Sequence, residues 1–126
     1  MLRTIFIVGA GGFLGSVFRY LVQVFVEKGL MSTFPWGTFV ANITGSFIIG
    51  IVYALAEKGN FLSAEWRMFL AVGICGGFTT FSSFAYNNMM MLKEGVYGQF
   101  FLNVGGSLFF GLLAVYLGMM LVRFVF

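Results

Sequence analysis

Followed for its alternation of apolar and polar positions, the chain separates into four long apolar runs punctuated by short charged turns. The first extends from about Thr4 to Val26 and stops at Glu27-Lys28-Gly29. The second begins at Pro35-Trp36, a proline suited to a first helical turn beside a tryptophan suited to a membrane interface. It stops at Glu57-Lys58-Gly59-Asn60. The third runs from Glu65 or Trp66 to Leu92, ahead of Lys93-Glu94-Gly95, and the fourth fills Val96 to Val122 ahead of Arg123. Each is near the ~20 residues that carry a helix across hydrocarbon. Turns this short make successive helices antiparallel neighbours, so the pattern predicts an all-α membrane protein, residues 1–126 forming a single four-helix transmembrane domain.

Composition points the same way. Of the residues, 60% are hydrophobic and only 9% charged, where a soluble domain carries roughly 25%. The chain therefore reads as an integral, multi-pass membrane protein. Its first apolar run continues through Arg19 without a small-residue cleavage site, which predicts a span rather than a signal peptide. There is no histidine, a single cysteine (Cys75) and four scattered glutamates, which excludes a disulfide framework and argues against a transition-metal site. The net charge of +3 contains no basic cluster of the kind that binds nucleic acid.

Four spans put both termini and the middle turn on one side, with Arg3, Lys58, Arg67 and Arg123; Lys28 and Lys93 fall on the other. The bias is shallow for the positive-inside rule. Either the termini lie inside, or orientation is weakly specified and both insertions are populated.

Within the spans, Gly11/Gly15, Gly73/Gly77, Ser46/Gly50, Ser107/Gly111 and Ala114/Gly118 have the spacing that lets helix backbones approach closely in lipid. The run Gly9 to Gly15 lacks the spacing, preceding strand and acidic follower of a dinucleotide-binding loop. Polar residues form stripes at helical intervals: Thr38, Asn42, Gly45, Ser46 and Gly50 in the second span, and Asn103, Ser107, Gly111, Ala114 and Gly118 in the fourth. The third contributes Thr79, Thr80, Ser82, Ser83, Asn87 and Asn88. Interhelical hydrogen bonds in lipid stabilise by only ~0.6 kcal/mol each. Three stripes in so short a chain favour a hydrophilic pathway over packing alone.

The third run also carries Gly73-Ile74-Cys75-Gly76-Gly77-Phe78-Thr79-Thr80-Phe81-Ser82-Ser83-Phe84 in a charge-free stretch. Glycine pairs and hydroxyls make poor helix, and irregular backbone at mid-membrane is tolerated only inside protein or beside a watery cavity. A break is predicted at Gly76-Gly77, where freed carbonyls of Gly76 and Thr79 suit a hard monovalent cation. The character of the pathway follows from what is missing. There is no aspartate, and the glutamates lie at span ends, so no buried carboxylate is available to exchange a cation for a proton. Amide and hydroxyl donors suit a small anion instead. Phe81 and Phe84 share a helix face, and their positive ring edges would assist. Arg19 either snorkels to the interface or draws anions into a vestibule.

Taken together, Gly11-Gly12-Phe13-Leu14-Gly15 with Arg19-Tyr20, Pro35-Trp36-Gly37-Thr38 with Asn42 and Gly45, and the run from Gly73 to Phe84 resemble the Fluc (CrcB) fluoride channels over essentially the whole chain. The resemblance implies an antiparallel, dual-topology homodimer with a broken third helix. It implies two pathways for passive fluoride export, conferring fluoride resistance, and a structural sodium ion (Na+) at the two-fold axis. It assigns the sodium to main-chain carbonyls of Gly76 and Thr79, and the fluoride pathway to Phe81, Phe84, Asn42, Ser83, Thr38 and Ser107. The chain departs from the family at Asn87, where glutamate is common, at Ser83, where threonine is frequent, and at Asn103, where tyrosine is often found. The alternatives are a small multidrug-type cation/proton exporter and a non-transporting membrane scaffold. No enzymatic activity is expected.

Overall fold

The structure, a computed structural model, describes residues 1–29, 34–59 and 62–125. Four helical spans are long and apolar enough to cross a membrane: Leu2–Glu27, Trp36–Glu57, Ala64–Glu94 and Tyr97–Val125. The first two are α1 and α2. The third is composite: α3 (Ala64–Arg67), a π-helical segment (Met68–Cys75), α4 (Gly76–Phe78) and, after a break, α5 (Phe81–Glu94). The fourth is α6 (Tyr97–Val125). All lie within three residues of the runs read from the sequence, and no strand occurs among the described residues.

Local chemistry sets the ends. Gly29, Gly59 and Gly95 each follow a charged pair and adopt positive φ, a conformation that side chains disfavour, so the helices stop there. The third span starts where the Ser63 hydroxyl accepts the Trp66 N–H at 3.2 Å. At the same end of the bundle Arg3 pairs with Glu65 at 3.0 Å, and Lys58 and Arg123 line one pocket. This is the antiparallel order that the short turns dictate.

Packing is backbone on backbone. A Cβ on Gly11 would lie 2.9 Å from the Gly73 Cα, and one on Gly77 would lie 2.6 Å from the Gly12 carbonyl oxygen, so α1 and the first half of the third span touch directly. On the other side α2 meets α6, with Gly50 against the Val115 carbonyl and Gly118 against the Phe47 carbonyl. Without a hydrophobic drive between helices in lipid, such close approach supplies the dispersion contact that holds them. Larger residues such as Phe13, Phe25, Phe101 and Leu108 point outward.

The break does not fall at Gly76-Gly77. Gly76 is helical at φ −62°, ψ −38°, and the helix continues through Phe78. The chain becomes extended at Thr79 (φ −90°, ψ 156°) and Thr80 (φ −151°, ψ 127°) before α5 begins. The missing side chain of Gly77 serves its contact with α1 rather than a change of direction.

Candidate functional site

A helix interrupted in hydrocarbon must find new partners for its freed backbone groups. Here one side chain supplies two of them. Asn42 Oδ1 accepts the Thr80 N–H at 2.9 Å, and Asn42 Nδ2 donates to the Thr80 carbonyl at 3.2 Å. The carboxamide thus pairs with Thr80 as a neighbouring peptide group would. In an unbroken helix the Thr80 N–H would bond the Gly76 carbonyl; the Asn42 bond takes that donor away. Thr79 turns inward: its N–H and its hydroxyl both donate to the Cys75 carbonyl, at 2.9 and 2.8 Å. Its methyl occupies the space that the absent side chain of Gly45 leaves on α2. The Thr80 hydroxyl then caps α5 by accepting the Ser83 N–H at 3.3 Å.

Around this break lie two open grooves. The first, of about 470 Å³, is lined by Asn42, Thr79, Thr80, Phe81, Phe84 and Ser107, with Gly45, Ser46 and aliphatic residues of α2 and α6. No charged residue lines it. The Phe81 and Phe84 rings stand 6.0 Å apart between centroids at 45°, and Phe81 is 78% exposed on the single subunit. The second groove, of about 360 Å³, is lined by Gln23, Glu27, Thr38, Ser82, Ser83, Tyr86 and Asn87. The Thr38 hydroxyl accepts from Gln23 Nε2 at 3.1 Å and from Asn87 Nδ2 at 3.4 Å. With both lone pairs engaged, its own proton remains to donate.

Four of the six expected pathway residues therefore meet in one groove, while Thr38 of α2 and Ser83 of α5 line the other. Arg19 lines neither. Its Nε is buried and has no hydrogen-bond partner among the described residues. Gly76 is exposed on the subunit surface. The polar stripes divide by depth: Thr38, Asn42 and Ser107 do polar work, whereas Gly50 and Gly118 serve close packing. Sequence reasoning missed Gln23. Its signal was an amide one helical turn after Arg19 in an otherwise apolar run. It also missed that Asn103, only 1% exposed, donates to Asn88 Oδ1 at 2.8 Å and so links α6 to α5.

The hydrogen-bond inventory states what the first groove offers an ion. The Ser46 hydroxyl donates to the Asn42 carbonyl at 2.8 Å, Thr79 to Cys75, and Ser107 to Asn103 Oδ1 at 3.3 Å. One N–H of the Asn42 amide remains beyond the one given to Thr80, and the Phe81 and Phe84 rings line the same groove. No carboxylate lines the groove to hold a cation, and the second Asn42 N–H is the neutral donor left for an anion.

A four-span bundle whose third helix opens within the span onto grooves carrying uncharged polar side chains and aromatic rings is the build of a small membrane transport protein. More specifically, the chain belongs to the CrcB family: the family model for CrcB-like protein, Camphor Resistance (CrcB), matches residues 6–119. It is 48% identical over 120 residues to a fluoride-specific ion channel FluC of Bacteroides fragilis, covering 93% of this chain and 94% of the relative. A FluC of Thermus thermophilus is 47% identical over 112 residues (89% and 87%), and one of Leptospira interrogans 41% over 119 residues (91% and 94%). The family is one of ion channels, not enzymes.

Proposed function

We propose that this protein is a fluoride-selective channel of the inner membrane, giving the ion a passive route out of the cytoplasm. The observation that carries the reading is the first groove: Asn42, Phe81, Phe84 and Ser107, from three different spans, converge on a charge-free space at the helix break. Fluoride holds its hydration shell strongly, so a selective path must replace water with several hydrogen-bond donors and positive ring edges. The names and high identity of the relatives support fluoride as the ion.

The working unit is an antiparallel homodimer, inserted in both orientations, with two pathways. Both grooves are open-sided on one subunit, and the broken backbone cannot face lipid unpaired. A second copy closes them. The shallow charge bias suits a chain inserted either way up. Thr38 and Ser83 extend the path beyond the phenylalanines, and Arg19 serves its electropositive approach.

The donor set at the break also fits a sodium ion. Asn42 removes the helical donor from the Gly76 carbonyl, Gly76 is exposed, and Thr79 is extended. Neutral backbone oxygens at a helix terminus suit a hard monovalent cation. Two from one chain are too few to hold it, so carbonyls of Gly76 and Thr79 from both subunits would do so. Its part would be structural, tying the two breaks together.

The test is efflux from liposomes carrying purified protein, followed with fluoride and chloride electrodes in parallel. Rapid fluoride release without chloride release is expected, together with a sharp loss in Phe81→Ile and Phe84→Ile while the dimer persists. Silence from a folded dimer would refute the channel; unchanged flux in both variants would refute the role of the rings.

A further inference from the structure

Most hydroxyl protons in the first groove are already committed. Ser46 and Thr79 give theirs to carbonyls one turn back on their own helices, as serine and threonine commonly do. Thr80 and Ser82 share one bond between their hydroxyls at 3.3 Å. Ser107 differs. Its proton goes to another side chain, Asn103 Oδ1, and the Asn103 amide in turn donates to Asn88 Oδ1 at 2.8 Å. Both asparagines are buried, at 1% and 8% exposure, and neither lines the groove. The three groups form a one-way relay running Ser107 to Asn103 to Asn88. In this direction Ser107 shows the groove lone pairs, which repel an anion.

We propose that Asn103, held by Asn88, is a positioning residue that sets which way the Ser107 proton points, and that the relay reverses when an anion occupies the groove. A carboxamide carries an acceptor and a donor at nearly the same distance from its axis, so turning it exchanges one for the other with little change of shape. With both amides turned, Asn88 Nδ2 donates to Asn103 Oδ1, Asn103 Nδ2 donates to the Ser107 oxygen, and the Ser107 proton is free for the anion. No proton changes its covalent partner, and both internal hydrogen bonds are replaced in kind. A chain of like-directed donors also polarises the terminal O–H, which strengthens its bond to the ion. Leucine at 103 could not hold the Ser107 oxygen from behind; the hydroxyl would fall back onto the carbonyl of residue 103, as Ser46 does onto that of Asn42.

This rests on the fluoride-channel reading, and the experiment separates the two. Fluoride efflux is measured for the parent, Ser107→Ala, Asn103→Leu and the double variant, each as a dimer in equal amount. Ser107→Ala is expected to lose about tenfold or more, the worth of one hydrogen bond to a charged group. Asn103→Leu should lose a similar factor, and the double variant no more than either alone. Ser107→Thr keeps the hydroxyl and should keep the sensitivity to Asn103→Leu. Asn88→Leu, on another helix, keeps the test alive if Asn103→Leu does not assemble: it should lower efflux only where residue 107 carries a hydroxyl. A merely structural asparagine would lower efflux equally with or without that hydroxyl, and multiplying losses would overturn the relay. A parent dimer that moves no fluoride would instead overturn the channel reading.

Discussion

Replacing Asn42 by leucine removes the partner of two Thr80 backbone groups at once. Leucine keeps the branched outline and heavy-atom count of asparagine with methyls in place of the amide O and N, so loss of the hydrogen bonds is the main change. An intramolecular hydrogen bond contributes about 1 kcal/mol net, but a buried group left without a partner costs about 1–3 kcal/mol. Both bonds run between a side chain and the broken backbone, at 2.9 and 3.2 Å, in a half-buried setting without charge. The Thr80 N–H has an escape, since the Gly76 carbonyl stands where a continued helix would use it, and the Thr80 carbonyl, at the N-cap of α5, has the Phe84 N–H as its helical donor. The expected destabilisation is therefore about 1–3 kcal/mol, nearer the lower end if the helix closes over the break. Reversible unfolding of the purified protein in mixed micelles reads this figure, and amide exchange at Thr80 reads its location. The Thr80 N–H should exchange freely in the variant, or acquire protection with Gly76 as its acceptor. A loss under about 0.5 kcal/mol with unchanged Thr80 protection would refute the idea that Asn42 sustains the break.

Three other outcomes follow from the packing. Gly77→Val places a branched side chain where the Gly12 backbone lies, and should destabilise the subunit by about 2 kcal/mol or more in the same unfolding assay. Gly76→Ala meets nothing nearer than the Ala71 carbonyl at 4.0 Å within the subunit. It should fold normally, and any weakening of the dimer by cross-linking or light scattering would mark that face as the contact between copies. Thr38→Val deprives the Gln23 and Asn87 amides of their shared acceptor and should cost about 1–2 kcal/mol in unfolding, with a lowered fluoride efflux.

The spans were legible because lipid imposes one strong rule on length and polarity, and charged pairs followed by glycine mark the turns. That the third helix must be interrupted was also legible, from glycine and hydroxyl density at mid-depth. Its position was not. A glycine pair is ambiguous between bending and close approach, and only the location of Gly12 on another helix decides for the latter. What interrupts the helix at Thr79-Thr80 is a bond from a residue 38 positions earlier, which no local pattern encodes. The same holds for the π-helical segment at Met68–Cys75, whose near-uniform apolar sequence gives no sign of it. Phe81, Phe84, Asn42 and Ser107, grouped by the family resemblance, line one groove. Thr38 and Ser83 were assigned to the same set, yet line the second groove: Ser83, two residues after Phe81, faces away from it on α5, and Thr38 on α2 lies beside Ser83's groove.

The pairing of Asn42 with Thr80 also bears on how the molecule is made. The second span leaves the ribosome before the third, so the amide is already in the membrane when Thr80 arrives. Until it docks, the third segment has every reason to remain one unbroken helix, with its N–H and C=O groups satisfied from within. Interruption is then an event of assembly rather than of insertion: the helix opens as it meets its neighbour, exchanging its own bond at Gly76 for one to Asn42. A third span expressed without the second should cross the membrane as a plain rod, and the Gly73 to Phe84 motif moved alone into another protein would not carry its opening with it.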